Sequence, residues 1–114
     1  MNNKQIYIIG DVHGCYKTLL ALIDQFPNKQ NSKICFVGDV IDRGKNSCEV
    51  VELIINNKYD CVRGNHEDML SNSRTDERYR QNWIYNGGNK TIQSFFRNQD
   101  EIENIEEYYE RNEF

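Results

Sequence analysis

Residues 34–44 read ICFVGDVIDRG, and this stretch decides the fold. Its first four residues are apolar without alternation, which is typical of a parallel strand covered on both faces, and a polar cluster with two glycines follows at once. The same arrangement occurs twice more. An apolar run at 6–9 precedes GDVHG at 10–14, and a shorter one at 60–62 leads into RGNHE at 63–67. We therefore predict three strands with a polar cluster at the end of each.

Two helical patterns separate the three predicted strands. Leu19, Leu22, Ile23 and Phe26 recur at helical spacing, and Pro27 ends that pattern. Val50, Leu53 and Ile54 repeat the spacing before the third strand. The order β-α-β-α-β predicts an α/β fold built on a parallel sheet with right-handed crossovers. Further on, the sequence predicts mainly helical structure, near 66–70 and around Ile92, Phe95 and Phe96, on either side of a polar stretch at 71–76 and an Asn-Gly-Gly turn at 86–88.

The length of 114 residues fits one domain, and the composition excludes several functional classes. No apolar run approaches the about 20 residues that span a membrane, and no signal-peptide pattern opens the chain. We therefore expect a cytoplasmic protein with no membrane partner. Residues 99–114 hold seven acids and one base and carry Ile102, Ile105 and Tyr109 at helical spacing, which predicts an acidic helical end. The sequence has no basic stripe that would indicate a nucleic-acid groove.

The four cysteines stand singly within apolar stretches, without the CxxC spacing of a zinc site: Cys15, Cys35, Cys48 and Cys61. We expect reduced thiols, most of them in the core.

The polar clusters carry the candidate chemistry. In an open parallel sheet, ligands bind at the carboxyl ends of the strands, so all three clusters are expected along one edge. Asp11 and His13 stand at i and i+2 and can point the same way, Asp39 adds a carboxylate from the second strand, and Asn65 adds an amide oxygen from the third. Mixed oxygen and nitrogen ligands suit Mn, Fe or Zn, and a central carboxylate can bridge two cations.

Three further residues suit phosphate chemistry. Arg43 offers a planar fork for phosphate oxygens. His66 can protonate a leaving alkoxide when a carboxylate orients its ring, and Asp42 is the candidate for that carboxylate.

The motifs GDVHG, GDVIDRG and RGNHE together resemble the opening motifs of the metal-dependent phosphoesterases. Within that superfamily the likeness is to the phosphoprotein-phosphatase branch, and most of all to small bacterial and phage serine/threonine protein phosphatases. The segment with Trp83, Asn86-Gly87-Gly88 and Thr91 also resembles those enzymes. The likeness covers roughly residues 5–95.

The resemblance implies roles for the cluster residues. Asp11, His13 and Asp39 would bind the first metal, with Asp39 bridging to a second metal that Asn65 also binds. A metal-bridging hydroxide would be the nucleophile. Arg43 and Asn65 would contact the phosphate, and His66, oriented by Asp42, would be the general acid. The implied cofactors are two divalent or trivalent ions, Mn, Fe or Zn. The implied fold is a β-sandwich flanked by helices, of which this chain supplies the first, βαβαβ half.

The sequence departs from that family pattern after residue 67. Family members supply two more histidines to the second metal, whereas residues 67–114 contain none. We therefore expect residues 1–114 to be a single, apparently incomplete phosphoesterase domain with one well-supplied metal site. Association is expected through an uncovered sheet edge or with a missing C-terminal segment.

The expected substrate is a phosphorylated protein or a small phosphoester. The alternatives are a symmetrical dinucleoside tetraphosphate hydrolase, which shares the three motifs but more often reads GNHD where this chain has GNHE, and a catalytically inactive module that binds metal or phosphate.

Overall fold

The computed structural model describes residues 5–98, and they form a three-stranded parallel sheet with helical crossovers. The strands are β1 (Gln5–Ile9), β2 (Ser32–Phe36) and β3 (Asp60–Cys61), in the spatial order β1-β2-β3. The crossovers contain α1 (Tyr16–Asp24) and α2 (Ser47–Asn56). Ile9 pairs with Phe36, which in turn pairs with Cys61, so the three strands end side by side. The predicted β-α-β-α-β order is confirmed.

Three more helices follow the sheet. They are α3 (Asn65–Asn72), α4 (Glu77–Trp83) and α5 (Asn89–Asn98), and a wide helical turn, Ile84–Gly88, joins the last two. The helices predicted near residue 66 and around Phe95 are confirmed. Helix α4 was not predicted, because its sequence ERYRQNW lacks an apolar stripe; the Asp76 side chain caps it by accepting a 2.8 Å hydrogen bond from the backbone N–H of Arg78.

The core lies between one face of the sheet and the helices. Alternate strand residues such as Ile34 and Phe36 point into it, and they meet Val51 of α2 and Phe95 of α5, all of them buried. Burying one such side chain contributes about 1.5–3 kcal/mol relative to leaving it exposed. This packing fixes α5 against α2 and carries the segment before α5 back towards the sheet edge.

The opposite face of the sheet is open within the described residues, so the prediction of strands covered on both faces is wrong there. Ile6 and Ile8 of β1 are 62% and 71% exposed, and Val62, just after β3, is 61% exposed. The described helices pack on one face only, so every second residue of β1 faces outwards. An exposed apolar face of this kind marks a surface that another element normally covers.

The cysteine prediction holds only in part. All four cysteines lie within the described residues and are free thiols, yet only Cys48 is buried. Cys15 is exposed because it stands in the loop ahead of α1. Among residues 5–98, the helices are too short or too polar to cross a membrane. The predicted acidic helix at 99–114 lies outside the described residues.

Candidate active site

Backbone hydrogen bonds lock the first two polar clusters together at the carboxyl edge of the sheet. The Asp39 carbonyl accepts from the N–H groups of Val12 and His13 at 3.1 and 3.0 Å. The His13 carbonyl accepts from Gly44 N–H at 2.9 Å. The two loops therefore hold each other in fixed register.

Glu67 fastens the third cluster to the second. Its buried carboxylate accepts backbone N–H hydrogen bonds from Asp39 at 2.7 Å, Val40 at 2.9 Å and Gly64 at 2.8 Å. The backbone N–H of His66 in turn donates to Asp39 Oδ1 at 2.8 Å. One carboxylate thus satisfies three donors from two loops and brings His66 to the Asp39 turn.

Several predicted site residues occupy strained backbone conformations. The φ angles of His13, Asp39, Asp42 and Arg43 are 46°, 52°, 75° and 73°. This left-handed region costs on the order of 1–3 kcal/mol for a residue with a side chain, and such strain concentrates at functional sites where the surroundings enforce it. Here the hydrogen bonds between the loops provide that enforcement.

His66 and Asp42 form a buried pair. His66 Nδ1 lies 2.7 Å from Asp42 Oδ2, and the Asp42 carboxyl is fully buried. Trp83 Nε1 donates to both carboxyl oxygens, at 2.9 and 3.0 Å, and Thr91 Oγ1 donates to Oδ1 at 2.6 Å. Burial raises the pKa of Asp42, while the hydrogen bonds from Thr91, His66 and Trp83 oppose that shift. The sequence predicted the His66–Asp42 contact, and the structure contains it.

His13 and Asp11 lie together as their spacing predicts. His13 Nδ1 lies 2.8 Å from the Ile41 carbonyl oxygen, which can only accept, so Nδ1 carries a proton and Nε2 is the atom left for a ligand. Nε2 lies 3.6 Å from Asp11 Oδ2. The His13 and His66 rings meet edge to face with centroids 4.6 Å apart, so the proposed metal ligand and the proposed acid share one cluster.

Arg43 and Asn65 stand at the rim of this cluster, and both side chains are exposed. Arg43 is held through its backbone, because its N–H donates to the Gly87 carbonyl at 3.1 Å. Asn65 begins α3 directly after the Gly64 turn. Both positions are open to a ligand that approaches the sheet edge.

The chain matches a known protein family along nearly its whole length. The sequence model of the calcineurin-like phosphoesterases matches residues 4–112. The chain belongs to the calcineurin-like phosphoesterase family. It is 33% identical over 88 residues to serine/threonine-protein phosphatase 1 of Salmonella typhimurium, an alignment that covers 76% of this chain and 40% of that protein. It is 39% identical over 64 residues to the symmetrical bis(5'-nucleosyl)-tetraphosphatase of Erwinia tasmaniensis, which covers 54% of this chain and 23% of that protein.

A solved structure shares the fold of this phosphoesterase chain. A crystal structure identified provisionally as a diadenosine tetraphosphatase superimposes with a TM-score of 0.55 at 28% identity, over 65% of this chain and 35% of the other. The chain therefore spans less than half the length of each relative named here.

The phosphoesterase family implies divalent metal ions, and the donor chemistry of the cluster fits them. His13 Nδ1 is engaged by the Ile41 carbonyl, and Nε2 lies 3.6 Å from Asp11 Oδ2, so these two atoms are close enough to ligate the same ion. Within residues 5–98, no three His, Cys, Asp or Glu side chains come close enough together to enclose an ion. Asp11 and His13 are thus the pair that fits, and Asp39 lies on the adjoining loop.

Three buried residues that have no predicted role organise the cluster. Trp83 and Thr91 contact Asp42, and Glu67 joins two loops. Trp83 and Thr91 stand 41 and 49 positions from Asp42, a distance at which spacing carries no information. Glu67 had a usable signal, since an acid three positions after Gly64 suits a helix N-terminus.

Proposed function

We propose that this chain carries the metal-binding and proton-donating half of a phosphoesterase site that hydrolyses phosphomonoesters, with phosphorylated serine or threonine side chains as substrates. The observation that supports it best is the buried His66–Asp42 pair at 2.7 Å, set 4.6 Å from the His13 ring. A histidine held by a carboxylate beside a metal-ligand pair suits the cleavage of an ester whose leaving group needs a proton.

Asp11, His13 and Asp39 would hold the first ion, and Asp39 and Asn65 would contribute to a second. When bound, such ions activate water and offset the charge on the phosphoryl oxygens. Mn, Fe and Zn all accept this oxygen and nitrogen donor set.

Arg43 and Asn65 bind the substrate phosphate in this proposal. The guanidinium of Arg43 can engage two phosphate oxygens at once, and its exposure leaves that fork accessible. Its backbone is pinned to Gly87, so the side chain starts from a fixed point at the rim. Such pre-organisation reduces the entropy lost on binding.

His66 then delivers the proton. Its Nδ1 is engaged by Asp42, so Nε2 is the atom that faces the substrate. As the phosphorus–oxygen bond of the ester breaks, the Nε2 proton moves to the departing oxygen, which leaves as an alcohol. The oxygen of the attacking water becomes part of inorganic phosphate, and the water's proton restores His66.

The chain's relatives supply a second candidate substrate. Dinucleoside tetraphosphates are the substrates named in the Erwinia relative, and the same cluster could act on a phosphoanhydride. The third motif favours the protein phosphatase, because it ends in Glu67, whereas the dinucleoside tetraphosphate hydrolases more often carry aspartate at that position.

The open sheet face supports the proposal that residues 5–98 belong to a larger phosphoesterase unit. Ile6, Ile8 and Val62 are exposed on this face, beside the ion pair of Lys33 and Asp60, and a further segment or a partner chain would cover them. A covering segment that brings histidines would complete the second metal site. For residues 1–114 alone we expect very low turnover, and an inactive metal- or phosphate-binding module is the alternative that zero turnover would support.

The experiment compares three substrates in the presence of Mn²⁺: a phosphoserine peptide, a dinucleoside tetraphosphate and p-nitrophenyl phosphate. We expect slow, EDTA-sensitive release of phosphate from the peptide and the aryl ester. His66→Asn should slow the peptide by up to the about 10²–10⁴-fold that a general acid contributes, and the aryl ester, whose leaving group needs no proton, far less. Asn72→Ala, on the exposed end of the same helix, is the matched control. Preference for the tetraphosphate, or equal losses on both esters, would contradict the proposal.

A further inference from the structure

The turn between α4 and α5, with the residues that flank it, contacts two adjacent residues of the candidate active site, Asp42 and Arg43. Trp83 and Thr91, on either side of this turn, contact the Asp42 carboxylate, and Gly87 within it contacts the backbone of Arg43. These contacts span more than 40 residues of sequence and are buried at Asp42. The segment therefore bears on both the proposed acid pair and the proposed phosphate-binding arginine.

The Asp42 carboxylate is saturated by directed donors. Thr91 Oγ1 donates to Oδ1, His66 Nδ1 reaches Oδ2, and the indole of Trp83 donates to both oxygens. Thr91 Oγ1 also accepts from the backbone N–H of Asp42 at 2.8 Å, so one hydroxyl bonds both the backbone and the carboxylate of this residue. A carboxylate with this many partners cannot rotate, which leaves Oδ2 aimed at His66.

The glycines of the turn make this arrangement possible. A Cβ built on Gly88 would stand 2.5 Å from the Trp83 ring, so only glycine lets the indole lie here. Gly87 has φ 108° and passes so close to Arg43 that a Cβ would meet its backbone nitrogen at 2.7 Å. Both glycines between Trp83 and Thr91 are therefore needed for the close contacts that this turn makes.

Resting on the function proposed above, we propose that Trp83 and Thr91 are positioning residues: they fix the Asp42 carboxylate so that it holds the His66 ring in the orientation for proton donation. Neither residue touches the substrate in this assignment. A purely structural role for a buried indole would be met by its ring alone, whereas here the N–H is directed at the carboxylate that bonds Nδ1 of the His66 ring.

The variants separate the donor atoms from the packing. Trp83→Phe keeps an aromatic ring and removes the N–H, and Thr91→Val keeps the shape and removes the hydroxyl. Ser94→Ala is the matched control, because Ser94 is a buried hydroxyl on the same helix, and its Oγ bonds Cys48 N–H and Glu49. Thr91→Val and Ser94→Ala each delete one buried hydroxyl.

The first readout needs no turnover. In protein with ¹⁵N-labelled histidine, the Nδ1–H of His66 bonded to Asp42 should give a downfield proton resonance. We expect Trp83→Phe and Thr91→Val to shift it upfield or broaden it by exchange with water, and Ser94→Ala to leave it in place. An unchanged resonance in both variants, or an equal change in the control, would overturn the proposal.

The second readout compares the loss of kcat on a substrate whose leaving group needs a proton with the loss on one whose leaving group does not. In Mn²⁺-loaded protein, both variants should lower kcat for a phosphoserine peptide by part of the about 10²–10⁴-fold available to a general acid, with smaller losses on p-nitrophenyl phosphate and little change in KM. Equal losses on both substrates would show a structural role only. If the wild-type chain hydrolyses neither substrate, the proposed function fails, and the His66 resonance still decides whether Trp83 and Thr91 position the pair.

Discussion

Gly38→Ala tests whether the close approach of the second and third loops holds the site together. Gly38 follows β2 with φ 93°, in the region that side chains rarely adopt. A Cβ there would stand 2.5 Å from Gly64 Cα and 2.9 Å from the Val62 carbonyl oxygen, and both neighbours are backbone atoms that cannot turn aside. The two loops would have to separate.

The cost follows from two separate terms. The left-handed backbone costs about 1–2 kcal/mol for a residue with a side chain, and an overpacked contact costs typically 1–3 kcal/mol. Together they predict a loss of about 2–5 kcal/mol in the free energy of unfolding, a large share of the about 5–15 kcal/mol that stabilises a typical domain. With a urea m-value of about 2 kcal/mol/M, the unfolding midpoint should fall by roughly 1–2.5 M.

Urea unfolding followed by the emission of Trp83, the chain's single tryptophan, measures this loss. The control is Gly10→Ala at the first loop, where an added Cβ would meet no heavy atom within 4 Å in the described part of the chain. We expect that control to stay within about 0.5 kcal/mol of wild type. Equal midpoints for the two variants would refute the reasoning that loop contact at Gly38 stabilises the fold.

Three further predictions concern single side chains. Arg43→Ala should weaken inorganic-phosphate inhibition and raise KM, and Arg43→Lys should restore only part of the loss because it lacks the planar fork; unchanged inhibition in the alanine variant would place Arg43 outside the site. Iodoacetamide should label exposed Cys15 first and buried Cys48 only on unfolding, as peptide mass spectrometry can show, and prompt labelling of Cys48 in native protein would contradict its burial. Desolvation raises the pKa of the buried Cys48 thiol and of the half-buried Cys61 thiol to about 12, so the folded state retains protons that the unfolded state loses. The free energy of unfolding should therefore fall as pH rises above about 9, and Cys48→Ala should flatten that slope.

The sequence predicted the sheet and its edge because local signals were strong. Apolar runs followed at once by glycine-bearing clusters define strands that end together, and the right-handed crossover leaves few other topologies. The contact between His66 and Asp42 was predictable because both follow strands that lie side by side. The proximity of Asp11 and His13 needed only their spacing of two residues.

Contacts between residues far apart in the sequence could not be predicted. Nothing local marks Trp83 as a partner of Asp42, since the contact depends on α5 folding back onto α2. A continuous apolar run also does not show whether both faces of its strand are covered. β1 carries apolar residues on both sides, yet Ile6 and Ile8 face outwards in the described structure. Aspartate adopts left-handed backbone more readily than most residues, but the sequence does not indicate that Asp39 and Asp42 are the positions that do so.

Calorimetric titration of the chain with Mn²⁺ tests directly whether the strand-end cluster is a metal-dependent phosphoesterase site. We expect one tightly bound ion in the wild-type protein and loss of most of that binding in Asp39→Asn, which keeps the shape and removes the charge. Asp60→Asn, which alters an exposed carboxylate paired with Lys33 away from the site, should bind as the wild type does. Equal Mn²⁺ affinity in Asp39→Asn and the wild type would contradict the account.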